Sequence, residues 1–206
     1  MNALALLLAD GRFPAGGHAH SGGVEAAVSD GRITDVASLA GFLAGRLATA
    51  GRVGAALAAA ACSGQRPLAL LDAEAAARIA SPALRHASRV QGRALLRAAS
   101  SVLGVAMPAA ELHFAVAIGA VARAAGLTPV DAARWAAHES ITGPATAAVR
   151  LLGLDPFSVW REVADLAPPV DEIAAAVHGY LPACAAPLLE IGAERHALQE
   201  VRLFAS

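Results

Sequence analysis

The sequence predicts an all-α protein, a compact single-domain bundle of about eight to ten helices with no sheet. Alanine, the strongest helix former, makes up over a quarter of the 206 residues. Apolar residues recur at helical spacing, and no segment alternates in the manner of a strand between hairpin signals. Prolines and capping residues stand where helices would begin. Because this length suits one sizeable core, we treat residues 1–206 as one domain.

The first half of the chain predicts five helices, over residues 4–9, 23–29, 36–63, 68–79 and 83–104. Thr34 or Asp35 can cap the third of these by accepting backbone N–H bonds. Pro67 and Pro82 suit the starts of the fourth and fifth, because a first-turn residue needs no helical donor.

The second half continues the pattern, with helices predicted over 111–125, 129–152, 156–166, 171–181 and 187–199, followed by a C-terminal tail at 200–206. Thr128 and Asp131 form a capping pair around Pro129. Gly143 and Pro144 predict a kink or break within the 129–152 segment.

The composition argues against several kinds of partner. All 16 non-histidine basic residues are arginine, and the net charge is −1, so nothing favours nucleic acid or an anionic membrane. The longest uncharged run, 173–189, is too short and too interrupted by proline to span a bilayer. Cys62 and Cys184 stand alone, which fits a reducing cytoplasm. The hydrophobic fraction of 56% is best explained by contacts with other proteins.

Four arginines recur every four residues in the 83–104 helix and therefore share one face: Arg85, Arg89, Arg93 and Arg97. Like charges at this spacing destabilise a helix. Two interpretations remain, a solvated face or a stripe that docks on acidic groups of a partner or of a neighbouring helix.

The most specialised stretch runs from Asp10 to Glu25 and is called here the glycine-rich loop. It holds five glycines, a proline, two histidines and a serine between apolar segments. Glycine reaches backbone conformations that other residues avoid, and proline disfavours helix before it. A shaped loop of this kind is a stronger functional candidate than any helix face in the chain.

The residues of this loop suggest two chemical functions. His18 and His20 could share a metal ion, but two nitrogens do not complete a typical site. Ser21 with a loop histidine and Glu25 supplies the residue types of a hydrolase triad, although Ser21 also suits a helix cap. The chain has no lysine and therefore no phosphate-binding Gly-x-x-x-x-Gly-Lys loop.

Five stretches together resemble the UreF family of urease accessory proteins. Phe13-Pro-Ala-Gly-Gly-His-Ala-His-Ser-Gly-Gly-Val-Glu25 resembles the family's N-terminal signature. The stretches that follow in the same order are Ser88 to Arg97, His113 to Gly119, Ala148 to Leu152, and Pro187 to Ser206. The chain departs from the family at Gly22, where a tyrosine is common, at Ala205, which replaces the penultimate arginine, and at 152–156, where a longer apolar stretch is reduced.

The resemblance implies an all-α homodimeric adaptor and not an enzyme. Such proteins bind UreD, also called UreH, and recruit the GTPase UreG, and this assembly loads nickel into apo-urease. Nickel is then handled by the assembly, and we expect no tightly bound cofactor.

The partner-binding residues expected from the loop and the resemblance are Pro14, Gly16, Gly17, His18, His20, Ser21, Glu25, His196, Arg202, Leu203 and Phe204. The tail is expected to order on UreD, with Leu203 and Phe204 as its apolar anchor, and Arg150 is expected at the dimer contact. The alternatives are a stand-alone nickel carrier using His18 and His20, and a small helical hydrolase that depends on Ser21.

Overall fold

The chain folds into α-helices joined by short connections. The computed structural model describes residues 3–177, 179–199 and 203–204, except for the side chain of His18. Helices α1 to α11 span Ala3–Leu8, Val24–Ser29, Val36–Arg46, Arg52–Ser63, Leu68–Ala77, Pro82–Leu103, Phe114–Ala124, Pro129–Leu152, Pro156–Asp165, Ala167–Ala175 and Pro187–Ala197. A 3₁₀ turn lies at Gly17–Ala19, and a π-helical segment at Leu47–Gly51 joins α3 to α4.

The all-α prediction is confirmed, since no strand occurs among the described residues. Helix α3, the π segment and α4 run on without a loop, and only Leu166 separates α9 from α10. Counting each of these runs as one helix leaves nine helices over the described ranges, within the predicted eight to ten.

The helix starts predicted from capping residues are confirmed. At α8, the Thr128 hydroxyl accepts the N–H of Asp131 while the Asp131 carboxylate accepts the N–H of Thr128, so two otherwise unpaired donors are satisfied. Asp155 accepts from two backbone N–H groups of α9, and Ser81 caps α6 ahead of Pro82. At α3 the cap is Asp35, whose carboxylate accepts from Ser38 N at 2.8 Å.

Several predicted boundaries were wrong. A kink or break was predicted at Gly143 and Pro144, and helix α8 continues through Pro144 without the break. Helix α10 spans Ala167–Ala175 and not 171–181. It begins earlier because Pro168 and Pro169 fall in its first turn, where a missing N–H costs no helical bond. Helix α7 begins at Phe114, three residues later than predicted.

Two clusters of buried apolar side chains form the core, and α4 and α8 contribute to both. Val53 and Leu57 of α4 lie in the first cluster, whereas Ala55 and Ala59 on the same helix lie in the second. Helix α7 is buried along most of its length, as its apolar sequence predicted.

Small residues allow the central helices to approach closely. A Cβ added at Gly119 of α7 would lie 2.3 Å from the carbonyl oxygen of Ala58 on α4. A Cβ at Gly92 of α6 would lie 2.0 Å from the carbonyl oxygen of Leu112. Both glycines are therefore required by backbone contact and not by a turn.

None of the described helices combines the length and the apolar character that crossing a bilayer requires.

Candidate functional site: the glycine-rich loop and the C-terminal tail

The glycine-rich loop has the unusual backbone that its composition predicted. Gly16, Gly22 and Gly23 all adopt left-handed conformations, with φ of 74°, 59° and 91°. The loop is held to the core by the buried ring of Phe13, while Pro14 is exposed to solvent. These contacts make the loop a defined structure with one edge in solvent.

Gly22 lies in a space that leaves no room for a side chain. A Cβ at this position would lie 2.9 Å from Pro144 Cγ and 3.3 Å from Arg46 Cζ. Because Gly22 has no side chain, the loop backbone lies directly against the proline of α8 and the guanidinium of α3.

Arg46 supplies a substitute donor where Pro144 interrupts the backbone hydrogen bonds of α8. Proline has no N–H, so the carbonyl oxygen of Ser140, four residues earlier, loses its helical donor. Arg46 Nε donates to that oxygen at 2.8 Å. The π segment that follows Arg46 faces the same turn, since a Cβ at Gly51 would lie 2.6 Å from Ser140 Oγ. Two helix irregularities thus meet beneath the glycine-rich loop, and such irregularities are frequent at functional sites.

Glu25, in the first turn of α2, holds the C-terminal tail against the body of the protein. Its Oε2 lies 2.8 Å from His196 Nε2 and accepts the backbone N–H of Phe204 at 3.0 Å. Its Oε1 accepts the N–H of Leu203 at 2.8 Å. Glu25 and His196 are both buried, so the carboxylate is surrounded by donors from this chain.

The two residues expected to anchor the tail on a partner, Leu203 and Phe204, lie in different environments. Phe204 is buried in this chain with 6% of its surface exposed, whereas Leu203 is 74% exposed. The guanidinium of Arg150 lies 5.0 Å from the centre of the Phe204 ring, a cation–π contact. In this conformation Leu203 is exposed and Phe204 packs within the chain, and their expected role as an anchor on a partner stays a prediction.

The remaining predicted residues fall into three groups. His20 and Ser21 are buried, and Ser21 Oγ accepts the backbone N–H of Glu25 at 3.4 Å, although the N-cap of α2 is Gly23 and not Ser21. Gly16 and Gly17 are partly exposed at the 3₁₀ turn. The side chain of His18 lies outside the described residues. So do Arg202 and the rest of the tail, apart from residues 203 and 204.

Two residues of the possible hydrolase triad, Ser21 and Glu25, each contact other groups. The Ser21 hydroxyl binds backbone, and the Glu25 carboxylate binds His196 and the tail. Among the residues that the structure describes, no group of three or more histidine, cysteine, aspartate or glutamate side chains is placed to hold a metal ion.

The arginine stripe of α6 is largely paired within the chain. Arg89 contacts Asp72 of α5 at 3.1 Å, and Arg93 contacts Glu111 at 2.6 Å. Arg85 donates to the carbonyl oxygens of Ile79 and Ala80. Arg89 and Arg93 thus contact acidic groups of neighbouring segments, as the second interpretation of the stripe expected.

Sequence reasoning missed the buried pair formed by Asp72 and His113. Asp72 Oδ1 accepts the backbone N–H of His113 at 2.6 Å and lies 2.7 Å from His113 Nδ1. The only signal was an acid in the middle of the largely apolar α5 and a histidine that precedes α7. The pair ties α5 to the start of α7.

Two cavities flank the glycine-rich loop and share His20 and Glu139 in their walls. The first, of about 220 Å³, is called the loop cavity, and Arg46, Ser140 and Pro144 also line it. The second, of about 400 Å³, is called the tail cavity. Its walls also include Arg150, Trp160 and Phe204.

Burial changes the acid–base behaviour of the cavity walls. It raises the pKa of Glu139 to about 7 and lowers the pKa of Arg46 to about 10. It also lowers the pKa of His138, which lines the tail cavity. The charges here are therefore less well solvated than those on the surface.

Comparison with known proteins finds relatives that match nearly the full length of the chain. The UreF family model matches residues 33–167. A urease accessory protein UreF from Mycobacterium sp. strain JLS is 45% identical over 209 residues, covering 98% of this chain and 97% of the relative. The protein of the same name from Mycolicibacterium vanbaalenii is 45% identical over 219 residues and all of both chains. That from Mycobacterium tuberculosis is 40% identical over 207 residues, 99% of this chain and 98% of the relative.

Proposed function

This chain belongs to the UreF family of urease accessory proteins, and we propose that it serves urease maturation as an adaptor and not as an enzyme. In this proposal it acts in the cytoplasm and bridges UreD-bound apo-urease to the GTPase UreG. Nickel is the cargo of the assembly, and this chain itself holds no cofactor.

The observation that carries the proposal is the contact between Glu25 and the tail. By fixing residues 203 and 204 beside α2, Glu25 joins the glycine-rich loop and the C-terminus into one surface. Exposed apolar side chains continue this surface along α11 and the tail: Leu188, Ile191, Leu198 and Leu203. Leu198 is 85% exposed and Leu203 is 74% exposed. Apolar side chains grouped in this way favour a protein partner.

Co-purification with UreD and UreG from the same source tests the role of the tail. We expect deletion of residues 197–206, or the substitution Leu203→Asp, to abolish recovery of UreD, because the apolar contact is lost. Leu70→Asp is the matched control, since Leu70 is half exposed but lies on α5. Recovery of UreD by the truncated chain at wild-type level would reject the proposed role.

The loop is tested through Glu25 and Pro14. Glu25→Ala should release the tail and reduce both complex formation and urease activation. Pro14→Asp changes the solvent-exposed edge of the loop and leaves the Glu25 contacts in place, so it tests the loop surface directly. If both variants activate urease normally, the glycine-rich loop does not face a partner.

We propose further that the protein is a homodimer with Arg150 at the contact. Arg150 is exposed on the last turns of α8, and its guanidinium also contacts the Phe204 ring. Gel filtration of Arg150→Asp is therefore compared with Phe204→Ala, which removes the same ring contact without changing charge. Loss of the dimer only in Arg150→Asp supports a direct contact, and an intact dimer in Arg150→Asp rejects it.

A further inference from the structure

The guanidinium of Arg46 lies beneath the glycine-rich loop and only part of it is used by the fold. Arg46 is the last residue of α3 and is half-buried. Nε donates to the Ser140 carbonyl oxygen. Cζ and Nη2 each lie 3.3 Å from the point that a Cβ at Gly22 would occupy, so this end of the side chain faces the loop backbone. The two Nη groups together offer up to four further N–H donors.

No carboxylate in the described ranges forms an ion pair with this cation. Burial alone accounts for the lowered pKa of Arg46, and at about 10 the group remains charged at neutral pH. Two acids line the loop cavity. Glu190 is occupied, because it accepts the backbone N–H of Ser81. Burial raises the pKa of Glu139 to about 7, so this carboxyl carries only part of a charge near neutrality. A poorly solvated cation without a full counter-ion is costly unless an anion joins it.

The loop cavity has room for such an anion. Its volume is about 220 Å³, more than ten times the minimum space that one water needs. Small residues on several elements keep it open: Gly22, Ala50, Gly54 and Gly143. A Cβ at Gly143 would meet no atom within 4 Å. Ser88 and Gln91 add polar side chains to the wall.

We propose that Arg46 forms a binding site for a small oxyanion in the loop cavity. The chemistry is that of a carboxylate or a tetrahedral phosphate-type anion, whose oxygens accept N–H bonds from the planar guanidinium. Such an anion would come either from solution or, as a carboxylate, from an acidic side chain of a bound protein. The site is a property of the isolated chain, and so it does not depend on the adaptor role proposed above.

Thermal unfolding of the purified full chain tests the site. The probes are inorganic phosphate and acetate, each compared with chloride at equal ionic strength. Because a ligand of the folded state alone stabilises it by mass action, we expect a saturable rise in Tm with at least one probe. The rise should vanish in Arg46→Met and persist in Arg52→Met, the matched control, since Arg52 is an exposed arginine six positions later.

The two probes separate the sources of the anion. A rise with acetate identifies a carboxylate site, whereas a rise with phosphate alone identifies a site for tetrahedral anions from solution. An unchanged Tm with both probes overturns the proposal, as does an equal rise in the wild type and in Arg46→Met.

Arg46→Met also removes the bond to Ser140, so this variant could fail to fold. The wild-type protein then provides the test through crystals soaked in selenate, a tetrahedral oxyanion with an anomalous signal. A selenium peak within contact distance of the Arg46 Nη atoms supports the site. Selenium peaks only at surface arginines overturn it.

Discussion

His196 and Glu25 lie 171 positions apart in the chain and are joined by a buried hydrogen bond of 2.8 Å between Nε2 and Oε2. The same carboxylate also accepts the N–H groups of Leu203 and Phe204. The acidic side chain that ends the glycine-rich loop thus sets the position of the last described residues.

Replacing Glu25 by alanine should detach the tail. Buried donors on His196, Leu203 and Phe204 would lose their acceptor, and we expect the free energy of unfolding to fall by about 2–4 kcal/mol. Hydrogen exchange detected by NMR at the amides of residues 203 and 204 measures the release directly.

Glu25→Gln is the control for this variant, because it keeps one acceptor oxygen and the volume of the side chain. It should give intermediate protection of the two amides. Tail amides that exchange as slowly in Glu25→Ala as in the wild type would show that Glu25 does not hold the tail.

Alanine substitutions of two glycines at the interface of α4 and α7 should change the free energy of unfolding in opposite directions. Gly119→Ala forces a Cβ against the carbonyl oxygen of Ala58, and we expect a loss of about 3 kcal/mol from overpacking. At Gly54 the new Cβ would lie 3.8 Å from that of Ala115, an ordinary contact, so alanine should add about 0.5–1 kcal/mol through helix propensity. Urea denaturation measures both, and equal effects would contradict the close approach of α4 and α7.

Alanine substitutions at Gly22 and Gly16 distinguish the cost of backbone strain from the cost of steric overlap in the glycine-rich loop. Both have positive φ, so alanine at either should cost about 1 kcal/mol in strain. Only at Gly22 does the added Cβ meet Pro144 and Arg46, which should cost about 1–3 kcal/mol more. Thermal unfolding compares the two variants, and a Gly16→Ala protein no more stable than Gly22→Ala would rule out the close packing described here.

The raised pKa of Glu139 predicts a pH-dependent stability. Its ordinary pKa is 4.5, and burial raises it to about 7. Between these values the folded protein keeps a proton that the unfolded chain has released, so stability falls as pH rises from about 4.5 to 7. The full effect is at most about 3 kcal/mol.

Glu139→Gln should remove this dependence, since the amide does not titrate. We expect the stability of the wild type relative to this variant to decline across the window and to level off above pH 7. Glu172→Gln, at an exposed site on α10, is the control. Parallel curves for the wild type and Glu139→Gln between pH 4.5 and 7 would show that burial does not protonate Glu139.

Local sequence signals predicted most helix starts but not the long-range contacts of the site. Thr128 and Asp155 act on neighbouring N–H groups, so their capping roles follow from residues within one turn. A kink or break was predicted at Pro144, and the helix is unbroken there; the substitute donor for Ser140, Arg46, lies 94 positions away in the chain. No pattern along the chain shows such a partner.

The long-range contacts of the C-terminal tail also could not be predicted from local sequence patterns. The sequence marked Glu25, His196, Leu203 and Phe204 as partner-binding residues without indicating that they contact one another. Their mutual hydrogen bonds depend on how α2 and α11 pack, which neither helix specifies alone. Their contacts with other proteins remain predictions.

The placement of α4 and α8 in both core clusters has a consequence for folding. Opposite faces of the same two helices complete the two clusters, so neither cluster keeps its packing once these helices unwind. Over the described ranges, we therefore do not expect one cluster to unfold while the other stays native. We expect its denaturation to be a single cooperative transition, with coincident curves by circular dichroism and by tryptophan fluorescence.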